Sequence, residues 1–244
     1  MKKYFSIILI TVVTLMTVNA QAQDKIRSYI GLYGGMSFAT SDFGKSDYNN
    51  NQAGFAKRGS TFSLDGAYYI YKNHLAIGYT LGWQDNGELT TADATALAVG
   101  YTNSYKSNGT TVSGVNRYHN YNILIGPQYS FQVHQFIIDI RASAGVIKSN
   151  STPETDVYLA DVPTQPDLIT QHSSKYTAFG YSGNLGVRYV FAPNWYIGLK
   201  GSYLASPGIK ISTTGFDQKV IIGRNVTKQP INTIQTVFGI THSF

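Results

Sequence analysis

The chain has 244 residues, with 19 Lys and Arg against 13 Asp and Glu, a formal net charge of +6 and no cysteine. The lack of cysteine excludes a disulfide scaffold, a thiolate metal site and a cysteine nucleophile. Charged residues make up 13% of the chain, well below the ~25% usual in soluble domains, whereas Gly, Tyr and Phe are abundant. This composition favours an all-β protein with a large surface that does not face water.

The first 22 residues have the pattern of a cleaved secretory signal peptide. Lys2 and Lys3 precede the apolar stretch 5–18, and Ala20 and Ala22 form an Ala-x-Ala cleavage site. This stretch is shorter than the ~20 residues that a membrane-spanning helix needs. We therefore expect residues 1–22 to be removed and residues 23–244 to form one mature domain.

Strict alternation of apolar and polar residues then predicts eight β-strands, because successive side chains of a strand point to opposite faces. The predicted strands are 29–38, 61–70, 75–84, 121–131, 136–145, 179–191, 195–203 and 234–244. Their connections alternate in length. Short links at 71–74, 132–134 and 192–194 fall at one end, and long links at 40–59, 85–118, 148–175 and 206–230 fall at the other.

Each predicted strand has one large apolar face and one face of small or polar residues. A soluble eight-stranded barrel would have to fit the large residues into a lumen only just wide enough for side chains. With the apolar face turned outward to lipid, the small residues fill the interior and closure satisfies the backbone. We therefore predict an all-β fold, an eight-stranded antiparallel up-and-down transmembrane β-barrel with short periplasmic turns and long extracellular loops.

Aromatic residues on the apolar face support this prediction by their position, since membrane barrels carry aromatic girdles at both interfaces. One group lies next to the short turns: Phe131, Phe136, Tyr189, Phe191, Trp195 and Phe244. The other lies near the long loops: Phe38, Phe62, Trp83, Tyr121, Phe179 and Tyr203.

The last strand carries the most specific pattern, with Phe238, Ile240, His242 and the terminal Phe244 on one face. With this ending, the sequence resembles the small eight-stranded outer-membrane barrels of the OmpA/OmpX-like class. The resemblance implies a location in the bacterial outer membrane, with its lipid and lipopolysaccharide as surroundings, and recognition of the last strand by the barrel assembly machinery. His242 departs from the pattern, since such strands usually carry an apolar aromatic residue there.

Few charged residues fall on the predicted inward face, and counting from the short turns places them in one layer: Asp65, Asp139, Arg141, Arg188 and Lys200. Buried charges must pair or be solvated. We predict a compact ionic network with Gln128 and Tyr196 as hydrogen-bond partners; the alternative is that some of these side chains only touch trapped water. Because eight strands leave no wide lumen, we do not expect a diffusion porin.

The sequence predicts no catalytic residue, metal site or cofactor. The five histidines lack metal-ligand spacing, and the outward-facing His119 and His242 have no nucleophile two residues on. Basic residues are dispersed, which argues against nucleic acid as a partner. We therefore expect a protein that is not an enzyme.

Segment 90–101 interrupts the strand pattern, and its alanines predict a short helix capped by Thr90 or Thr91. This helix would cover the barrel mouth or form a knob that binds a partner. The long loops lead us to predict surface contacts with an extracellular protein or glycan, or a role in envelope stability. The candidate contact residues are Phe43, Tyr48, Phe55, Tyr101, Tyr105, Tyr158 and Phe216. Two alternatives remain: a narrow channel for small or apolar solutes, and an accessory subunit of an envelope secretion or assembly complex.

Overall fold

The computed structural model describes residues 26–71, 74–162, 168–215 and 223–244. The predicted signal segment and Phe216 lie outside these residues. In chain order, the elements are β1 (Tyr29–Ala39), α1 (Ser41–Gly44), β2 (Gly59–Tyr71), β3 (Leu75–Glu88), α2 (Thr91–Tyr105), β4 (Gly109–Val115), β5 (Arg117–Val133), β6 (Phe136–Ser151), β7 (Glu154–Ala160), β8 (Leu168–Gln171), β9 (Thr177–Ala192), β10 (Trp195–Lys210), β11 (Thr213–Thr214) and β12 (Lys228–Ser243).

Eight of these strands form a closed antiparallel barrel in the order β1-β12-β10-β9-β6-β5-β3-β2. Closure occurs at β1, where Tyr33 pairs with Gly239 of β12 on one side and with Ser63 of β2 on the other. Every barrel strand therefore has two hydrogen-bonded neighbours. This satisfies backbone groups that lipid cannot hydrogen-bond. The predicted fold class is confirmed.

The side-chain alternation has the predicted direction. In β1, Leu32 is 64% exposed whereas Tyr29 and Tyr33 are buried. The same pattern recurs around the wall, so that large apolar side chains cover the outside of the barrel. Such a surface would be a liability in water, but it fits the hydrocarbon core of a bilayer.

The strands run further at the long-loop end than the alternation predicted. β3 continues to Glu88, β6 to Ser151 and β10 to Lys210, while β12 begins at Lys228. The hydrophobic alternation fades there because the wall leaves the lipid and neither face needs to be apolar. At the other end, the tight turns are present, and His134 and Asn194 adopt left-handed backbone angles of φ 56° and 64°.

The long connections fold into a cap over the mouth of the barrel. Its four-stranded sheet has the order β11-β8-β7-β4. Helix α2 packs against this sheet through Leu97, Tyr101 and Tyr105, which share a buried cluster with Val157 and Ile169. The predicted helix is therefore present and extends to Tyr105.

The start of α2 follows from its sequence. The side chain of Thr90 accepts a hydrogen bond from the backbone N–H of Asp93, and the carboxylate of Asp93 accepts one from the backbone N–H of Thr90. This reciprocal pair is a capping box, which satisfies two amides at the helix start. The helix ends at Tyr105, and the next residue, Lys106, caps it with a left-handed φ of 53°.

Candidate functional site

All five inward charges lie in one cluster in the lower barrel. Asp65 accepts hydrogen bonds from Arg141 Nη2 at 2.9 Å and from Lys200 Nζ at 2.5 Å. Asp139 accepts from Arg188 Nε at 2.6 Å. The ion pairs join β2, β6, β9 and β10 across the lumen.

Gln128 links the two carboxylates into one network. Its Oε1 accepts from Arg141 Nη2 at 2.6 Å, and its Nε2 donates to Asp139 Oδ1 at 3.1 Å. Tyr196 contacts the network through its ring, 5.4 Å from the guanidinium carbon of Arg188. The sequence prediction for Tyr196 was a hydrogen bond, and the contact in the structure is instead between a cation and an aromatic face.

Three inward tyrosines that the sequence analysis did not place in the network belong to it. The ring of Tyr29 lies 3.8 Å from the guanidinium carbon of Arg188, and its hydroxyl accepts from Arg141 Nη2 at 3.0 Å. Tyr33 lies under Lys200, and the hydroxyl of Tyr69 donates to Ser130 Oγ at 2.6 Å. Their inward position on β1 and β2 was the available signal. With these rings, the network fills the cross-section of the barrel and forms the lower seal.

A second seal, made of apolar side chains, lies at the mouth of the barrel. Helix α1 inserts Phe43 into the lumen, where it is completely buried and packs edge-to-face on Tyr118 with ring centroids 4.9 Å apart. The side chains around them come from the barrel wall and the loops: Ala56, Leu124, Ile147, Leu204, Ile209, Ile211, Val226 and Ile231. A polar solute would have to pass both this upper seal and the charged lower seal.

The prediction that the loop aromatics make external contacts is wrong for Phe43, Phe55, Tyr101 and Tyr105. All four are buried, because the loops pack on one another and over the lumen. Tyr48 is half-buried, and its hydroxyl donates to Ser104 Oγ at 2.9 Å. Among these candidates in the described residues, Tyr158 remains largely exposed, at 49%.

The first loop is fixed to the rest of the cap by buried polar groups. The guanidinium of Arg224 donates to the carbonyl oxygens of Asn50 and Ala53, and burial lowers its pKa. Lys57 pairs with Asp93 at 2.8 Å. Burial opposes ionisation of Asp93, but hydrogen bonds led by the one from Lys57 outweigh it and lower the pKa of the carboxyl. Burial also raises the pKa of Tyr105 to about 12.

The outer face of the cap sheet is open. Tyr158 of β7 pairs with Leu168 of β8 and with Thr111 of β4, and all three side chains are exposed. Glu154 and Asp156 precede Tyr158 on the same face of β7, which adds negative charge to this face. We call this surface the Tyr158 face.

The last strand has the outward pattern that the sequence predicted. Phe238 and Phe244 are among the most exposed large apolar residues, and Ile240 is also exposed. The ring of His242 packs against Trp195 of β10, with centroids 4.7 Å apart. The histidine thus contributes an aromatic surface to the girdle beside the short turns.

Within residues 26–71, 74–162, 168–215 and 223–244, no helix is long and apolar enough to cross a membrane. In the same residues, no group of three or more His, Cys, Asp or Glu is arranged to hold a metal ion.

A closed eight-stranded wall with an apolar exterior, aromatic girdles and long loops at one end defines an integral outer-membrane barrel. The family model described as "Outer membrane protein beta-barrel domain" matches residues 8–222, and the chain belongs to this family. No curated protein matches the sequence.

Several solved outer-membrane proteins resemble the chain. Neisserial surface protein A is 15% identical, with a TM-score of 0.46, over 89% of this chain and 97% of that chain. Ail of Yersinia pestis, solved with the heparin analogue sucrose octasulfate, is 11% identical, with a TM-score of 0.40. The match covers 89% of this chain and 97% of Ail. The outer membrane protease OmpT from Escherichia coli is 10% identical, with a TM-score of 0.44. The match covers 93% of this chain and 99% of OmpT.

Proposed function

We propose that the protein is a non-enzymatic surface barrel that holds a folded cap outside the outer membrane. The cap would bind an external protein or glycan, and this binding would serve contacts at the cell surface or the stability of the envelope. The Tyr158 face is the observation that carries this proposal. It combines an exposed aromatic residue, an adjacent Leu168 and two carboxylates on the four-stranded sheet of the cap.

The two seals support a scaffold rather than a channel. The lower seal buries Arg141 and Arg188 almost completely, and the upper seal buries Phe43. The buried core of the cap then fixes the Tyr158 face, so that little conformational entropy is lost when a partner binds. Aromatic residues on such rigid surfaces commonly anchor interfaces.

We further propose that residues 1–22 are the export signal and are removed, and that the last strand is recognised by the barrel assembly machinery. The pattern of basic, apolar and small residues in residues 1–22 is typical of secretory signals. Truncation of Phe244 should reduce the amount of assembled barrel in the outer membrane, because the exposed terminal aromatic is part of the proposed assembly signal.

Site-specific photocrosslinking in intact cells tests the binding proposal. A photoreactive phenylalanine at position 158 should give a discrete adduct, whereas the same probe at the exposed Val99 of α2 is the matched control. Tyr158→Asp should remove surface binding, since it adds a charge at the centre of the face, and Val99→Asp should not. Equal crosslinking at both positions, or unchanged binding by Tyr158→Asp cells, would reject the Tyr158 face as the contact surface.

A further inference from the structure

Four lysines on the outside of the barrel have no acidic partner within ion-pair distance in the described residues: Lys148 of β6, Lys175 just before β9, Lys210 of β10 and Lys228 of β12. All four are exposed. Three of them lie on β6, β10 and β12, and Lys175 lies just before β9, so that four consecutive strands of the barrel bring them to one side. The fold therefore assembles a basic surface that sequence spacing does not reveal.

Three of these lysines lie close together. Lys210 pairs directly with Lys228 across the β10–β12 ladder. The hydroxyl of Ser174 donates to the carbonyl oxygen of Lys210 at 2.6 Å, which places the neighbouring Lys175 beside β10. The ammonium of Lys210 also lies 5.8 Å from the ring of Tyr176. We call Lys175, Lys210 and Lys228 the lysine cluster.

The lysine cluster is electrostatically unfavourable in the absence of an anion. Like charges directly opposite each other on one face of a sheet repel and destabilise the pair. Other cations of the protein do have acidic partners, as in the pairs of Arg117 with Asp85 and of Lys57 with Asp93. Lys210 and Lys228 have no acidic partner among the described residues, so a bound anion would stabilise this pair.

The position of the cluster indicates where that anion comes from. Phe179 of β9, Tyr203 of β10 and Ile234 of β12 are exposed on the same outer wall, below the cluster along their strands. Aromatic residues such as Phe179 and Tyr203 mark the boundary between hydrocarbon and headgroups. The lysines thus follow the girdle into the headgroup layer of the outer leaflet.

We propose that the lysine cluster binds the phosphate group of a phosphorylated glycolipid in the outer leaflet. Ammonium groups bind phosphate as point charges, and basic residues next to a membrane surface attract anionic headgroups. The site differs from the Tyr158 face in both position and sign of charge, so either proposal can fail while the other holds.

Binding of lipid A to the purified full-length protein in uncharged detergent tests the proposal. Lys210→Gln/Lys228→Gln should weaken binding of bis-phosphorylated lipid A by about fivefold for each lysine removed. Lys45→Gln/Lys106→Gln removes the same charge from the cap and should leave the affinity unchanged. Equal affinity of the two double variants would overturn the proposal.

Two further arms separate the sources of phosphate and exclude misfolding. Dephosphorylated lipid A should bind the wild type and Lys210→Gln/Lys228→Gln equally weakly, and inorganic phosphate should not compete at millimolar concentrations. Effective competition would indicate a site for soluble phosphate instead.

Thermal unfolding is the second arm. Without lipid A, Lys210→Gln/Lys228→Gln should unfold at a higher temperature than the wild type, because the like-charge repulsion is gone. With lipid A present, that advantage should shrink or reverse; a constant advantage would contradict a lipid site.

Discussion

Arg188 shows how much the interior of the barrel depends on single charges. Its guanidinium is almost completely buried, donates two hydrogen bonds to Asp139 and lies over the ring of Tyr29. Removing one partner of a buried ion pair leaves an uncompensated charge, which costs far more than the net value of the pair. The lower seal is therefore sensitive to one-sided changes.

We predict that Arg188→Met lowers the free energy of unfolding by about 3–5 kcal/mol, because Asp139 then remains buried without its cation. Asp139→Asn/Arg188→Met should recover a large part of this loss, since both charges are removed together. Urea-induced unfolding in lipid vesicles measures both values. Additive losses in the double variant would show that the two residues do not act as a pair.

At the scale of elements, Gly100 of α2 allows the helix and the first loop to meet. A Cβ atom at this position would fall inside the contact distance of the Tyr48 ring. The ring packs against Tyr101 with centroids 5.0 Å apart, and its hydroxyl bonds to Ser104. Glycine has a low helix propensity, but its missing Cβ allows α2 to approach the Tyr48 ring of the first loop closely.

We predict that Gly100→Ala destabilises the cap even though alanine is the better helix former by about 1 kcal/mol. Displacing the Tyr48 ring should cost about 1–3 kcal/mol, which exceeds that gain. Hydrogen exchange of the α2 amides would detect the change. Gly109→Ala, where a Cβ meets no atom within 4 Å, is the matched control. Faster exchange in both variants, or in neither, would contradict this account.

The elements differ in how far the sequence predicts them. Each barrel strand has one face toward lipid and one toward the lumen, so apolar and polar residues alternate along its sequence. The run Phe62, Ser63, Leu64 and Asp65 is an example. The cap strands are too short to give a clear signal: β7 alternates over Thr155, Val157 and Leu159 but has only 7 residues, and β8 and β11 have 4 and 2. The same limit explains the error for Phe43 and Tyr101, since alternation within a loop does not report which other loop covers it.

The whole molecule has its two seals in series. The ionic network closes the lower lumen, and Phe43 with its apolar neighbours closes the mouth. Removal of one seal leaves the other in place. Charge pairing was predictable from five inward residues, whereas the upper seal depends on a loop that returns into the barrel.

We predict that wild-type protein and Phe43→Ala both show no steady conductance in planar bilayers, because the ionic network remains intact in each. Phe43→Ala combined with Arg141→Ala should show resolvable openings, since both obstructions are then weakened. Arg141→Ala alone is the control for the lower seal. Steady nanosiemens-scale conductance of the wild-type protein would refute a sealed lumen.

The closure of β1 onto β12 has a consequence for biogenesis. Tyr29, near the start of the described chain, pairs with Ser243, the residue before the terminal Phe244. The cylinder therefore has two bare edges until the final strand has been synthesised and delivered. Contacts of such long sequence separation form slowly, and unpaired edges invite aggregation. Closure of the cylinder is therefore expected to be a late step, since it requires the last strand of the chain.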